Sequence, residues 1–486
     1  MSPSPLVALA VVTPALAALL IWAFRDWPDL RDAISLIAGA ALLYLVLTIY
    51  PDVAGGLRLS SSIGELLPGL EISFVVEPLG MLFALVSSSL WIVTTAYSIG
   101  YMRHQNDAHQ ARFFLYFALS ISSAIAIAFA GNLFTLFVAY EALTLATYPL
   151  VAHYGTDEAK RGARVYLAIL LSTSIGFLLV AIIATWSIAG TLEFIPGGIL
   201  RGKAEPWVMS LLLALYVFGI GKAAVMPFHR WLPSAMVAPA PVSALLHAVA
   251  VVKAGVFTIL KVVVYVFGID LLADIGAREW LMYIAGATVL IASLVALRED
   301  NLKARLAYST ISQLSYIVLA AMLASSIGIV GGAMHIATHA VGKITLFFCA
   351  GVIYAATGEI EISRMRGLGR RMPWTMGAFA VASLSIIGLP PFGGLWSKWY
   401  LALGTLDAGQ YLLLAVLLVS TLLNIAYLIP IPLRAFLSSP QDIPEGDMRE
   451  APTLSVIALV VTALGTFILF LYPDPLYRLA AQLVVF

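Results

Sequence analysis

The sequence predicts an all-α integral membrane protein of about fourteen transmembrane helices. Three observations predict it. The first is composition: 61% of the 486 residues are hydrophobic and 11% are charged, where a soluble domain carries about 25% charge. No water-facing surface can be made from that mixture, so residues 1–486 are read as one membrane domain with no room for a soluble catalytic one. The second is spacing, because apolar runs near the length of about 20 residues needed to cross a bilayer recur along the whole chain. The third is the loop charges. Placing alternate loops on the same side gives seventeen arginines and lysines on one side and five on the other. That is the positive-inside asymmetry of a multi-pass protein of the cell (inner or plasma) membrane. It predicts basic loops in the cytoplasm and both termini outside.

The runs follow in order. Residues 4–24 are apolar without the basic start of a signal peptide, which predicts a retained first helix. Runs at 33–50 and 74–101 come next, the latter with Glu77 near its start. Runs 112–130 and 132–152 are parted only by Gly131 and Asn132, a tight turn. Then come 163–189, 206–226, 242–267, 279–297, 303–323, 327–356, 373–400, 409–436 and 452–472.

Helices seven and twelve read as broken. Residues 219–241, GIGKAAVMPFHRWLPSAMVAPAP, place Pro227, Pro233, Pro239 and Pro241 after the embedded Lys222. Residues 388–398, GLPPFGGLWSK, place Pro390 and Pro391 before Lys398. Proline removes a backbone donor and clashes with the preceding turn. At membrane depth such irregular backbone survives only inside protein or along a polar cavity. Paired interrupted helices mark transport sites and inverted repeats. An offset of five helices inverts one unit against the other.

Seven charged side chains fall inside the expected spans: Glu77, Glu141, Lys222, Lys253, Lys261, Lys343 and Lys398, joined by His247, His335 and His339. A charge at the bilayer centre costs at least about 2.5–3.5 kcal/mol, so these groups must face the interior. All five embedded cations are lysine, although arginine dominates the loops. Arginine keeps its proton. A buried lysine can release it. A set of fixed ion pairs has no reason to exclude arginine; groups that exchange protons do. His335, His339 and Lys343, spaced four residues apart, form a stripe on one helix face, and histidine passes protons near neutral pH. Glu141 is the carboxylate deep in a span, and Lys222 is its natural partner. Lys261 is a candidate to snorkel from a helix end, Glu77 to sit at the membrane interface, and His229, inside the first break, to gate or cap it.

The net charge of +1 and the absence of a basic aromatic-rich patch argue against nucleic acid. Cys349, the one cysteine, excludes an internal disulfide and reads as a small packing residue. There is no phosphate-binding loop, nucleophile elbow or metal-ligand spacing, so neither metal nor cofactor is expected. His335 and His339 share one face, which suits a proton wire better than haem ligation.

Five segments carry a resemblance: FTLFVAYEALTLATYPLV, GKAAVMPFHRWLPSAMVAPAPVSALLHAVAVVKAGVF, AYSTISQLSYIVL, HAVGKITLFFCAGVIY and GLPPFGGLWSKWYL. They resemble the antiporter-like subunits shared by respiratory complex I (NADH:quinone oxidoreductase), membrane-bound hydrogenases and Mrp-type Na+/H+ antiporters. The resemblance implies inverted repeats of helices four to eight (112–267) and nine to thirteen (279–436). It implies that Glu141 and Lys222 pair in a first half-channel, that Lys253 and His339 connect through a central relay, and that Lys398 ends the second half-channel. His247, His335 and Lys343 match positions lining the hydrated axis. It also implies homologous and small membrane subunits as partners, with protons and Na+ or K+ as the transported ions. The chain ends shortly after the fourteenth run and looks more like the D-type subunit of Mrp antiporters. The alternative is a proton-pumping subunit of complex I or an energy-converting hydrogenase, and in neither case does the chain carry an active site of its own.

Overall fold

The computed structural model describes residues 2–67, 70–245, 249–438, 450 and 452–484. A short strand β1 (Ser2–Pro3) leads into α1 (Pro5–Ala23) and α2 (Pro28–Ala54). A hairpin of β2 (Leu59–Leu67) and β3 (Leu70–Val76) precedes α3 (Pro78–His104), α4 (Gln110–Phe129) and α5 (Leu133–Val151). The helix α6 (Asp157–Thr173) passes through a π turn at Ser174–Leu178 into α7 (Leu179–Ala189). Then α8 (Pro206–Gly219) ends in a tight turn at Gly221–Ala223, and the short α9 (Trp231–Ser234) and α10 (Ala240–Ala244) carry the chain to α11 (Val251–Val262). A π turn at Val263–Phe267 and the short α12 (Ile269–Asp274) follow. The second half comprises α13 (Gly276–Arg298), α14 (Leu302–Met322), α15 (Ser326–Thr357), α16 (Pro373–Ile387), α17 (Gly394–Asp407), α18 (Tyr411–Leu428), α19 (Pro430–Leu437), α20 (Thr453–Leu471) and α21 (Asp474–Ala481).

Among the described residues, 10 helical stretches are long and apolar enough to cross a membrane. Two shorter apolar helices, Pro206–Gly219 and Pro373–Ile387, are the first arms of the broken segments. Prolines in the first turn open α1, α2, α3, α8 and α16, where the missing donor costs nothing. The most apolar stretch of α15 is 94% buried, against 33% for α1, α2 and α20. Thus α15 is the axis, and the outer helices present leucine, isoleucine and tryptophan to the surroundings.

Two local features depart from the sequence reading. The helical membrane fold carries one small sheet of β1, β2 and β3, with β1 parallel and β3 antiparallel to β2. The third span starts at Pro78 rather than residue 74, because residues up to Val76 complete the hairpin and proline then fixes the first helical turn. In the run 242–267, α10 ends at Ala244 and α11 begins at Val251, and residues 246–248 lie outside the described set. Just before α11 the Val249 carbonyl accepts from the Ser87 hydroxyl at 3.4 Å.

One construction occurs twice. Asn132 caps α5 through the Thr135 N–H and bridges Glu193. Asn301 caps α14 through the Ala304 N–H and bridges Glu361. The first lies against the hairpin, where Gly131 bonds Ser73. The second lies at the cation-rich end, beside Lys303 and Arg305.

Candidate functional site

The two breaks hold their lysines with released backbone groups. In the first, Lys222 is fully buried. Its Nζ donates to the Tyr140 carbonyl at 2.8 Å and the Thr144 hydroxyl at 2.5 Å, both on α5, and lies 3.2 Å from the Tyr140 ring centre. The Lys222 N–H donates to the Tyr140 hydroxyl at 3.1 Å, and the Gly221 carbonyl accepts from the Trp231 indole at 3.0 Å. Side chains thus satisfy each group freed by the break that these contacts reach. Against this backbone lies Gly255 of α11, where a Cβ would stand 2.4 Å from the Lys222 carbonyl carbon. Glycine alone lets α11 pack this closely on the first break.

In the second break α16 stops at Gly388 in a left-handed conformation. Lys398, on the first turns of α17, sends its Nζ back to the Ile387 carbonyl at 3.1 Å and over the Tyr316 ring at 5.0 Å. Gly394 permits the close return, since a Cβ there would lie 1.8 Å from the Ser385 carbonyl oxygen. Pro227, Pro390 and Pro391 occupy the breaks and are exposed.

Between the breaks runs a buried polar row. Lys253 Nζ sits 2.5 Å from His339 Nδ1. The His339 and His335 rings stack with centroids 5.5 Å apart, and His335 stacks on Tyr316 at 5.8 Å. His335 Nδ1 lies 2.9 Å from the Ser397 hydroxyl, which also meets Thr338 at 3.0 Å. Ser397 adjoins Lys398 in sequence. Lys343 Nζ donates to the Ser309 hydroxyl at 2.7 Å and the Leu306 carbonyl at 3.2 Å, and Tyr427 joins Ser309 at 2.8 Å. Lys253, Lys343, His335 and His339 are at most 2% exposed.

Two placements differ from expectation. Glu141 and Lys222 share no ion pair among the described residues, because the lysine is turned onto Tyr140 and Thr144. Glu141 adjoins Tyr140, whose carbonyl holds the Lys222 amine. Glu141 is half-buried, on a face of α5 shared with the exposed Val138 and Leu145. Lys261 is buried in an ion pair rather than snorkelling, and its partner is Glu77 at the start of α3. The two meet at 2.5 Å, 0% and 3% exposed in their side chains. Helical periodicity alone could not show that Lys261 faces the start of α3. His229 is half-buried in the first break beside Tyr308, with ring centroids 6.4 Å apart. His247 lies outside the described residues.

The contacts add Tyr140, Thr144, Ser309, Tyr316 and Ser397 to the residues read from sequence. The spacing of Ser309, Gln313 and Tyr316 was a usable signal, since i, i+4 and i+7 make a polar stripe on α14. At the membrane margins, burial pulls the Asp107 carboxyl up, but hydrogen bonds from His153 (2.9 Å) and the His109 N–H (2.7 Å) outweigh it and hold it below its ordinary value. Burial raises the Glu193 carboxyl, with only a long bond from Asn132 opposing it.

Residues 130–424 match the family described as NADH:quinone oxidoreductase/Mrp antiporter, transmembrane. Residues 67–114 match the N-terminus of chain 5 of complex I. The chain is 31% identical to NADH-quinone oxidoreductase subunit N of Desulforudis audaxviator, over 84% of this chain and 83% of that protein. It is 33% identical to the A/B component of a probable K(+)/H(+) antiporter of Rhizobium meliloti, over 76% of this chain and 37% of that longer one. With NADH-quinone oxidoreductase subunit L of Mycobacterium tuberculosis it is 32% identical, over 82% of this chain and 63% of that one. The fold is shared with a chain of the Mrp complex from Dietzia sp., with a TM-score of 0.87 at 22% identity over 99% and 97% of the two chains. A chain of an archaeal membrane-bound sulfane sulfur reductase gives 0.86 at 25% identity over 99% and 98%.

Proposed function

From the premise that this chain belongs to the NADH:quinone oxidoreductase/Mrp antiporter family of membrane subunits, we propose that it translocates protons as the D-type subunit of a multisubunit Mrp-type monovalent cation/H+ antiporter. The observation that carries the reading is a set of buried titratable side chains: Lys222 in the first break, then the contacts that run from Lys253 through His339 and His335 to Ser397 beside Lys398, with Lys343 on their flank. Lysine and histidine are the side chains that can trade a proton along such a row.

Glu141 and Lys222 form the first half-channel, Lys253, His339, His335 and Lys343 the central relay, and Lys398 the end of the second half-channel. His247 and His229 support the row. A proton arriving near Glu141 changes the field on Lys222 and so its hold on its proton; the change passes along the row as each amine gains or loses one. Moving a charge across the membrane is worth about 2.3 kcal/mol per 100 mV, enough to drive such a shift. The paired Asn132–Glu193 and Asn301–Glu361 bridges support inverted repeats at 112–267 and 279–436. The cation-rich loops support a cytoplasmic placement for that side, fourteen crossings and both termini outside. The outer helices of the single chain present a large apolar surface, which supports partner subunits packed against it. Na+ or K+ is the ion exchanged for protons in the assembled complex.

A second reading, a proton-pumping subunit of a complex I-like oxidoreductase or energy-converting hydrogenase, is favoured by the likeness to subunit N over most of both chains. Mass spectrometry of the purified complex separates the two: iron–sulfur partners support the second, small membrane subunits the first. Alanine at Glu141 or Lys222 in the intact complex tests the shared core. Cation/proton exchange should collapse, and retained exchange would refute the reading.

A further inference from the structure

The Glu77–Lys261 pair is left unused by the row. It stands at the opposite end of α11 from the first break, and three observations give it a role. Lys261 is eight residues beyond Lys253 on one helix face, about 12 Å along the axis. Midway between them Phe257 packs on Phe83 of α3 with ring centroids 5.1 Å apart. That ring pair separates the central row from Glu77 and Lys261. On the far side lies a cavity of about 440 Å³, lined by Arg58, Pro78, Pro196 and Gln482. It reaches the residue next to Glu77.

The pair is tied into two helix ends. Glu77 is the N-cap residue of α3, where the helix dipole favours its negative charge. Lys261 Nζ donates to the Ala130 carbonyl at the end of α4 at 2.7 Å and lies 4.4 Å from the Phe194 ring centre. The charged and titratable groups facing the pair are Arg58, on the cavity wall, and Tyr265, on the π turn after α11. The buried cation is lysine, while the cavity carries the arginine. A fixed guanidinium at the cavity repels a proton held on the pair.

Resting on the translocation reading above, we propose that Glu77, Lys261 and the Arg58 cavity form an outer proton-release site, gated from the central row by the Phe83–Phe257 rings. When the rings part, a proton from Lys253 crosses on admitted water and binds the Glu77 carboxylate. The neutral acid releases the Lys261 ammonium, which keeps its own proton. Glu77 then gives the proton to water in the cavity, forming hydronium, and the carboxylate pairs with Lys261 again. One proton enters, one leaves, and the pair is restored.

The test uses the chain assembled with its native partners in everted vesicles, with Na+ and K+ each added as the driving cation. Replacing a buried ion pair by apolar residues is commonly tolerated by a fold, so E77M/K261M should assemble. Its exchange should fall at least about tenfold. Exchange within about twofold of the unaltered complex, while Lys222→Ala abolishes it, would overturn the release site and leave the function standing. Retained exchange in both variants would overturn both. Independently of assembly of the double variant, Phe257→Ala should raise passive proton leak under an imposed pH gradient without added cation; an unchanged leak would overturn the gate.

Discussion

The two broken helices hold a lysine by the same device with the parts in opposite order. In the first, Lys222 precedes its prolines and binds the neighbouring α5, through the Tyr140 carbonyl and Thr144 hydroxyl. In the second, Lys398 follows its prolines and binds its own segment, through the Ile387 carbonyl at the end of α16. The first has a carboxylate, Glu141, on the residue after the one whose carbonyl holds the amine. In the second the facing helix α14 offers the Tyr316 ring, with the fully buried Gln313 three residues before it on that helix. A carbonyl or hydroxyl dipole is therefore enough to seat a buried amine, and the carboxylate is an addition that makes the first site responsive to charge. Among the described residues the second amine has no ion-pair partner and is seated by a carbonyl and an aromatic ring.

The widest test of that comparison removes each amine. Lys222→Ala and Lys398→Ala should each cut cation/proton exchange by about a hundredfold or more, measured in the assembled complex. If one of them were tolerated, the two breaks would not be equivalent stations on one path. Next comes charge. Glu141→Gln should slow exchange about tenfold, and Gln313→Leu by less, because only the first removes a charge that acts on its lysine. Equal losses would erase the distinction.

Much of this was readable from residue type and spacing. The broken helices followed from Pro227, Pro390 and Pro391, and the stripe of His335, His339 and Lys343 from helical periodicity. What could not be read is which way a long side chain turns. Lys222 has an anionic neighbour and an uncharged one within reach of the same stem, and only packing decides between Glu141 and Tyr140. Likewise nothing local links Glu77 to Lys261, which are brought together by α3 and α11 lying side by side. The hairpin at residues 59–76 was missed because its serines and Gly64 carry no strong apolar alternation, and its last residues merge with the apolar start of α3.

A smaller effect concerns close packing. Alanine at Gly394 should destabilise the chain by about 1–3 kcal/mol, and at Gly255 by a similar or smaller amount. The order follows from a Cβ 1.8 Å from its nearest atom at Gly394, and 2.3 Å at Gly255. Thermal unfolding of the purified complex would reverse this order if the second break were the looser one. The smallest effect lies at the cation-rich rim. There the first half is clasped by Asp107 on His153 at 2.9 Å, and the second by Asp300 on the Ser363 hydroxyl at 2.6 Å. The Asp107 carboxyl is held below its ordinary value, so its contribution is present above the unfolded pKa and lost as pH falls through the folded one. Asp107→Asn should cost about 0.5–1.5 kcal/mol at neutral pH. The difference from the unaltered chain should shrink below about pH 4 in thermal melts.

The central claim is that the buried amines give up their protons and take them back. Arginine in place of Lys222 keeps the charge and withholds the proton. Cation/proton exchange should therefore be as low in an assembled Lys222→Arg complex as in Lys222→Ala. Exchange at the rate of the unaltered complex would mean that a fixed positive charge suffices there, and would contradict the account.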